Sequence, residues 1–262
     1  MQVTHREKKK IKFRISFVFL FIVASFLACF TFYMKEDFIV TEDMFVEEQE
    51  AVVYIETVGQ GTNRVNPVPA GNKKSKDYYD DIVFIGSKAL AGLADYGYVD
   101  AEKMLLSDSI KLNNINSVII SENNVQNTIA DAVINRQANK IYIMIGLHEL
   151  NNIDNANLFD ELEAFIDTVQ SSLPDLEIYL MSVFPVPAEL ESSIASNVNI
   201  DEFNSLLLQF ADEVQVNYLE INTMLKGNDG KLPASSAEIN GIRLTNEMYG
   251  VVSDYILSHV VE

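Results

Sequence analysis

A chain of 262 residues, 48% of them hydrophobic, holds one α/β domain of ordinary size plus an extension, with little room for a second domain. Of its 19 basic and 38 acidic residues, six basic and one acidic lie within 1–34, which leaves 13 and 37 for the rest and a net charge of −24 there. Such a surface repels nucleic acid, and the single cysteine, Cys29, excludes a disulfide framework or a cysteine zinc site, so no nucleic-acid partner, metal or cofactor is expected.

The chain opens on a basic segment, 1–14, with Arg6, Lys8, Lys9, Lys10, Lys12 and Arg14. From Ile15 to Met34 no charge interrupts the apolar run. Twenty residues at a rise of 1.5 Å cover about 30 Å, enough to cross a bilayer core. Acids follow at Glu36, Asp37, Glu42 and Asp43, so the positive-inside bias puts the N-terminus in the cytoplasm and the rest outside. The expected partner is therefore the cell membrane, through a single-pass anchor. A cleaved signal peptide has a shorter apolar core. Lipidation of Cys29 is the minority alternative, because the run continues apolar through Phe30, Phe32 and Tyr33.

Residues 35–76 read as an acidic, then turn-rich, linker: KEDFIVTEDMFVEEQE is self-repelling, and GQGTNRVNPVPAGNKKSK is rich in Gly, Pro and Asn. From Asp77 to Glu262 strand-length apolar runs stand at Ile82–Ile85, Ser117–Ile120, Ile141–Ile145, Ile178–Val183 and Gln215–Leu219. Helix-period stretches at 124–137, 156–172, 200–214 and 246–260 separate or follow them. Strands without apolar/polar alternation suit a sheet buried on both faces. The pattern predicts a three-layer α/β/α sandwich with a mainly parallel sheet, its chemistry at the carboxyl ends of the strands.

Four blocks stand at those ends. They are Asp80-Asp81-Ile82-Val83-Phe84-Ile85-Gly86, Ile141–Leu150 with Gly146-Leu147-His148-Glu149, the tract Ser182–Val186, and Asn240-Gly241-Ile242-Arg243-Leu244-Thr245 before a helix with Tyr249. In order and spacing the chain resembles the SGNH/GDSL hydrolases, a flavodoxin-like esterase and lipase superfamily, over about 70% of its length. The resemblance implies Gly-Asp-Ser after the first strand, Gly-x-Asn-Asp/Glu after the third block's strand and Asp-Gly-x-His-Leu-Thr near the end. Here Lys88 stands in place of the nucleophilic serine, His148 in place of the oxyanion-hole asparagine, and Asn240 and Arg243 in place of the Asp–His dyad. The second block's glycine has no counterpart in 107–124.

These changes remove the standard triad. Arginine stays protonated and cannot act as the base, and asparagine carries no charge to steady an imidazolium. The resemblance thus implies a non-catalytic binding or regulatory domain of the cell envelope. The competing reading is an esterase or acylhydrolase acting on envelope glycans or lipids through displaced residues, with Ser87 and His148 as the rescue pair. Lys88, Glu149 and Arg243 form the candidate ligand site. Either the two cations pair with Glu149 in a decayed pocket, or they hold an envelope glycan or an anionic ligand.

Overall fold

The computed structural model describes residues 64–261, except 123–124, 151–152, 154, 192–195 and 239–242. The apolar run 15–34, and with it the expected anchor, lies outside the described residues; among these no helix is long and apolar enough to cross a membrane.

Five strands form one parallel sheet. They are β1 (Ile82–Gly86), β2 (Met104–Leu106), β5 (Lys140–Met144), β6 (Glu177–Met181) and β7 (Asn217–Leu219), in the order β2-β1-β5-β6-β7. The chain leaves β1 to one side for β2 and returns to its other side at β5. The crevice beyond the carboxyl ends of β1 and β5 is thus the switch point at which open α/β sheets place their sites.

Side chains alternate across the strands, and both faces are buried. Val83, Ile85, Ile141, Ile143, Ile178 and Leu180 pack on one face with α2 (Ile129–Asn135), α3 (Asp160–Ser172) and α4 (Asn197–Glu213). Ile82, Phe84, Tyr142, Met144, Tyr179 and Met181 pack on the other with the short α1 (Gly92–Asp95), α5 (Asn222–Leu225) and the long α6 (Asn246–Ser258). Continuous apolar strands follow from this double burial. The result is a parallel-sheet α/β sandwich with helices on both faces.

Two expectations are corrected. Ser117–Ile120 does not enter the main sheet: β3 (Ile119–Glu122) pairs antiparallel with β4 (Val125–Thr128) in a hairpin of its own. The helix expected over 124–137 begins only at Ile129, because Thr128 caps it, accepting from the Asp131 amide at 3.1 Å. The strand beside β1 is instead Met104–Leu106, which the sequence reading passed over.

The compact unit begins at Asn63, so it takes in the last third of the segment read as linker. β7 is an edge strand, and residues 66–68 cover it. Asn66 accepts from the Tyr218 amide at 2.8 Å and donates to the Val216 carbonyl at 2.9 Å, while the Val68 amide donates to the Tyr218 carbonyl at 2.9 Å. Further on, the Gly71 and Lys74 amides donate to the Ser258 and Leu257 carbonyls at 2.7 and 2.8 Å. These are among the last carbonyls of α6, which have no partner within their own helix. Val68 itself is 2% exposed. A domain cut at 77 would lose an edge cover, a helix cap and a core side chain together.

Candidate functional site

β1 ends at Gly86, whose φ is +130°. Ser87 follows as the cap of a tight turn over Lys88–Leu90, its Oγ accepting from the Ala89 amide at 3.1 Å. That bond fixes the Ser87 side chain as a backbone cap. Lys88 projects outward, and its Nζ lies 3.1 Å from Asp108 Oδ2, with both side chains more than 60% exposed. An ion pair so open to water contributes at most about 1 kcal/mol.

Asp108 comes from the loop after β2, whose Ser107 amide donates to the Gly86 carbonyl at 2.9 Å. The Asp108 carbonyl also receives His148 Nε2 at 3.1 Å. A carbonyl only accepts, so Nε2 is the donor in this bond. Among the described residues no hydrogen bond joins Ser87 to His148; each has a backbone partner instead.

β5 leads into Gly146, with φ +129°, and the Glu149 amide closes a turn on the Gly146 carbonyl at 3.0 Å. Glu149 Oε1 accepts from the Leu112 amide at 3.1 Å, which ties the β5 exit to the start of a 3-10 turn at Leu112–Asn114. Its Oε2 is buried without a hydrogen-bond partner. Burial raises the Glu149 carboxyl above its ordinary range, against the opposing effects of the Leu112 amide and the nearby His148 and Lys111.

Arg243 belongs to a separate cluster. Its guanidinium meets Asp95 Oδ2 at 2.7 Å and, more loosely, Glu238 Oε2 at 3.8 Å. Glu238 is held by the Tyr96 hydroxyl at 2.6 Å, and its amide donates to the Arg243 carbonyl at 2.8 Å. Tyr249, from α6, donates to the Ala89 carbonyl at 2.6 Å and so joins this cluster to the turn after β1. Asn240 lies outside the described residues.

The structure therefore does not assemble Lys88, Glu149 and Arg243 into one ion-paired group. Lys88 pairs with Asp108, Arg243 with Asp95 and Glu238, and Glu149 answers a backbone amide. With Lys111 near Glu149, three cations share the edge with four carboxylates, so among the described residues no surplus of positive charge stands there. Asp95, Asp108 and Glu238 escaped the sequence reading because they lie in α1 and loops that no strand or helix periodicity marks. The one available signal was the excess of acids itself.

One consequence is measurable. A carboxyl raised in the folded state binds its proton before the unfolded chain does. Its contribution to stability is fully present below the unfolded value, near 4.5, and is lost as pH rises through the folded value. Wild type should gain on Glu149→Gln as pH falls from about 7 to about 4.5, in paired urea titrations. A constant gap between the two proteins would mean that Glu149 is not desolvated.

No family model matches the chain, and no curated protein matches it either. Solved structures do. An acetyl xylan esterase, AlAXEase, superposes with a TM-score of 0.52 at 13% identity, covering 69% of this chain and 99% of that one. A protein of the G-D-S-L lipolytic family from Desulfitobacterium hafniense DCB-2 gives 0.50 at 16% identity, covering 68% and 98%. An assigned acylhydrolase from Bacteroides fragilis NCTC 9343 gives 0.50 at 14%, covering 72% and 88%. With the parallel sheet, the crossover at β1 and β5 and the ordered strand-end blocks, these likenesses establish that the chain carries the fold of the SGNH/GDSL hydrolases.

Proposed function

We propose that this chain is a membrane-anchored, extracytoplasmic domain of SGNH/GDSL fold that binds or regulates in the cell envelope and does not hydrolyse esters. One observation carries the reading: Ser87 Oγ, at the β1 exit, caps a backbone turn, and among the described residues no hydrogen bond joins it to His148 or another base. A serine nucleophile needs a base within hydrogen-bond reach to take its proton as it attacks. Lys88 in the serine's place would form a stable amide with an acyl group and stop after one event.

Because carboxylates outnumber the cations at the edge, an uncharged envelope glycan suits this crevice better than an anion does. Purified protein is expected to show no turnover of short acyl esters and no labelling by a fluorophosphonate probe. Turnover that disappears in Ser87→Ala or His148→Ala would replace this reading with an esterase using displaced residues.

The anchor rests on the uncharged run 15–34 with basic residues before it and acids after it. Protease added to intact cells should remove an epitope placed after Glu262. Survival of that epitope would put the domain on the other side of the membrane.

A further inference from the structure

Away from the strand ends, a groove of about 500 Å³ opens between α3 and α4 and the loop that precedes α3. Its floor is apolar: Ile153, Leu158, Phe159, Leu206 and Phe210, with Phe159 and Phe210 stacked at 4.7 Å between ring centres. Ile153, Phe159 and Leu206 remain partly exposed. Four carboxylates rim it: Asp160 and Glu163 from α3, and Glu202 and Glu213 from α4.

The α4 residues form one stripe, Glu202, Leu206, Phe210 and Glu213, spaced by four, four and three positions. Eleven residues of helix put its two acids about 16 Å apart, with apolar side chains between them. Among the described residues no lysine or arginine lines the groove. Three other acids on the same helices are engaged, Glu161 accepting from Asn116 at 2.7 Å, Asp201 pairing with Lys226 and Asp212 accepting from Asn66 at 2.9 Å, while Asp167 of α3 lies outside the groove. Among the described residues, the four rim side chains have neither an ion pair nor a hydrogen bond.

The first turn of α3 gives Asp160 and Glu163 a local role at the positive end of the helix dipole. Glu213 has no such role. It sits in the last turn of α4, where a negative charge opposes the dipole and no basic residue answers it.

We propose that this groove docks a basic amphipathic helix of a partner protein. Its apolar residues would cover Leu206 and Phe159, and its Lys or Arg side chains would answer the four carboxylates. Charge and topology decide against the alternatives. The chain's own 35–50 segment is acid-rich, the domain of a second copy brings the same negative surface, and the basic 1–14 segment lies across the membrane in the topology proposed above. The inference concerns a surface separate from the strand-end crevice and stands whether or not that crevice is catalytic.

The test uses full-length protein in nanodiscs of zwitterionic lipid, with empty nanodiscs subtracted. The probe is a fluorescent helical peptide of about 14 residues built from Leu and Lys, against an equivalent built from Leu and Glu. The Lys peptide should bind saturably, one per chain, and the Glu peptide should not. Glu202→Lys/Glu213→Lys should weaken binding at least tenfold, and Leu206→Ser should also weaken it. Asp100→Lys/Asp175→Lys makes the same change in net charge elsewhere and should leave binding within twofold. Melting curves confirm that each variant is folded.

Equal losses in both charge-reversal pairs would overturn the groove in favour of the domain's overall charge. Displacement of the peptide by stoichiometric spermine or Ca²⁺, with Leu206→Ser unaffected, would overturn it in favour of a simple cation site.

Discussion

Replacing Gly86 by alanine is expected to leave little folded protein. A Cβ at this position would lie 2.0 Å from the Met144 carbonyl oxygen and 2.8 Å from its carbon. Both are backbone atoms of β5, the strand that Gly86 pairs with, and neither can turn aside as a side-chain end would. The φ of +130° adds backbone strain for any residue with a Cβ. Relief requires β1 and β5 to separate at the sheet's centre. The loss should be at least about 4 kcal/mol, against the 5–15 kcal/mol that a domain of this size has in total. Gly97→Ala provides the comparison, since its φ is +74° but nothing lies within 4 Å of the added carbon. That change should cost only the left-handed conformation, about 1 kcal/mol. Similar urea midpoints for the two variants would show that the β1 exit tolerates a side chain, and that its geometry does not fix where Ser87 and Lys88 stand.

The same geometry explains what was legible beforehand. Ile82–Ile85, Ile141–Ile145 and Ile178–Val183 read as strands because both of their faces are buried and their apolar runs are unbroken. Met104–Leu106 is three residues long at the sheet's edge, with Met104 and Leu106 only partly buried, too little for any periodicity to register. The Ser117–Ile120 run is as apolar as a core strand, yet Ile119 is 55% exposed in the hairpin. The signal that would have separated them was local: Thr128-x-x-Asp131 is a capping box, and it starts the helix five residues later than the apolar pattern suggested.

At the site, positions were legible and partners were not. The order of strands and helices dictates that residues after β1 and β5 share one edge with those before α6, so Ser87, Lys88, His148, Glu149 and Arg243 could all be placed. Lys88, His148 and Arg243 meet Asp95, Asp108 and Glu238, which α1 and two loops deliver, and Ser87 and Glu149 meet backbone amides of turns. Loop conformation follows from turn hydrogen bonds such as Glu238 N–H to the Arg243 carbonyl, not from periodicity.

Asn204→Ala is expected to cost about 3 kcal/mol, more than a polar residue in a helix ordinarily would. Beyond β6 the chain runs on through Ser182–Val186 with no strand along part of its length, and α4 supplies the missing ladder. Asn204 accepts from the Val183 amide at 2.8 Å and donates to the Val183 carbonyl at 3.1 Å. Asn197 does the same for Val186, at 3.0 and 2.9 Å. The spacings match: seven residues of helix rise about 10.5 Å, and three residues of extended chain cover about 10 Å. Two side-chain amides on one helix face can thus grip two peptide groups on one extended segment, and both asparagines are only 4% exposed. Alanine at 204 leaves the Val183 amide buried without its acceptor, though the Val183 carbonyl keeps the Asn222 side chain at 2.9 Å. An orphaned buried donor accounts for about 1–3 kcal/mol, and the lost side-chain volume adds the remainder. Asn204→Asp should also destabilise near neutral pH, because a carboxylate keeps the acceptor for the Val183 amide but turns a second oxygen towards its carbonyl. Urea titration with an unchanged slope is the measure. A loss below about 1 kcal/mol for Asn204→Ala would mean that water can replace the amide and that α4 does not hold this edge of the sheet in place.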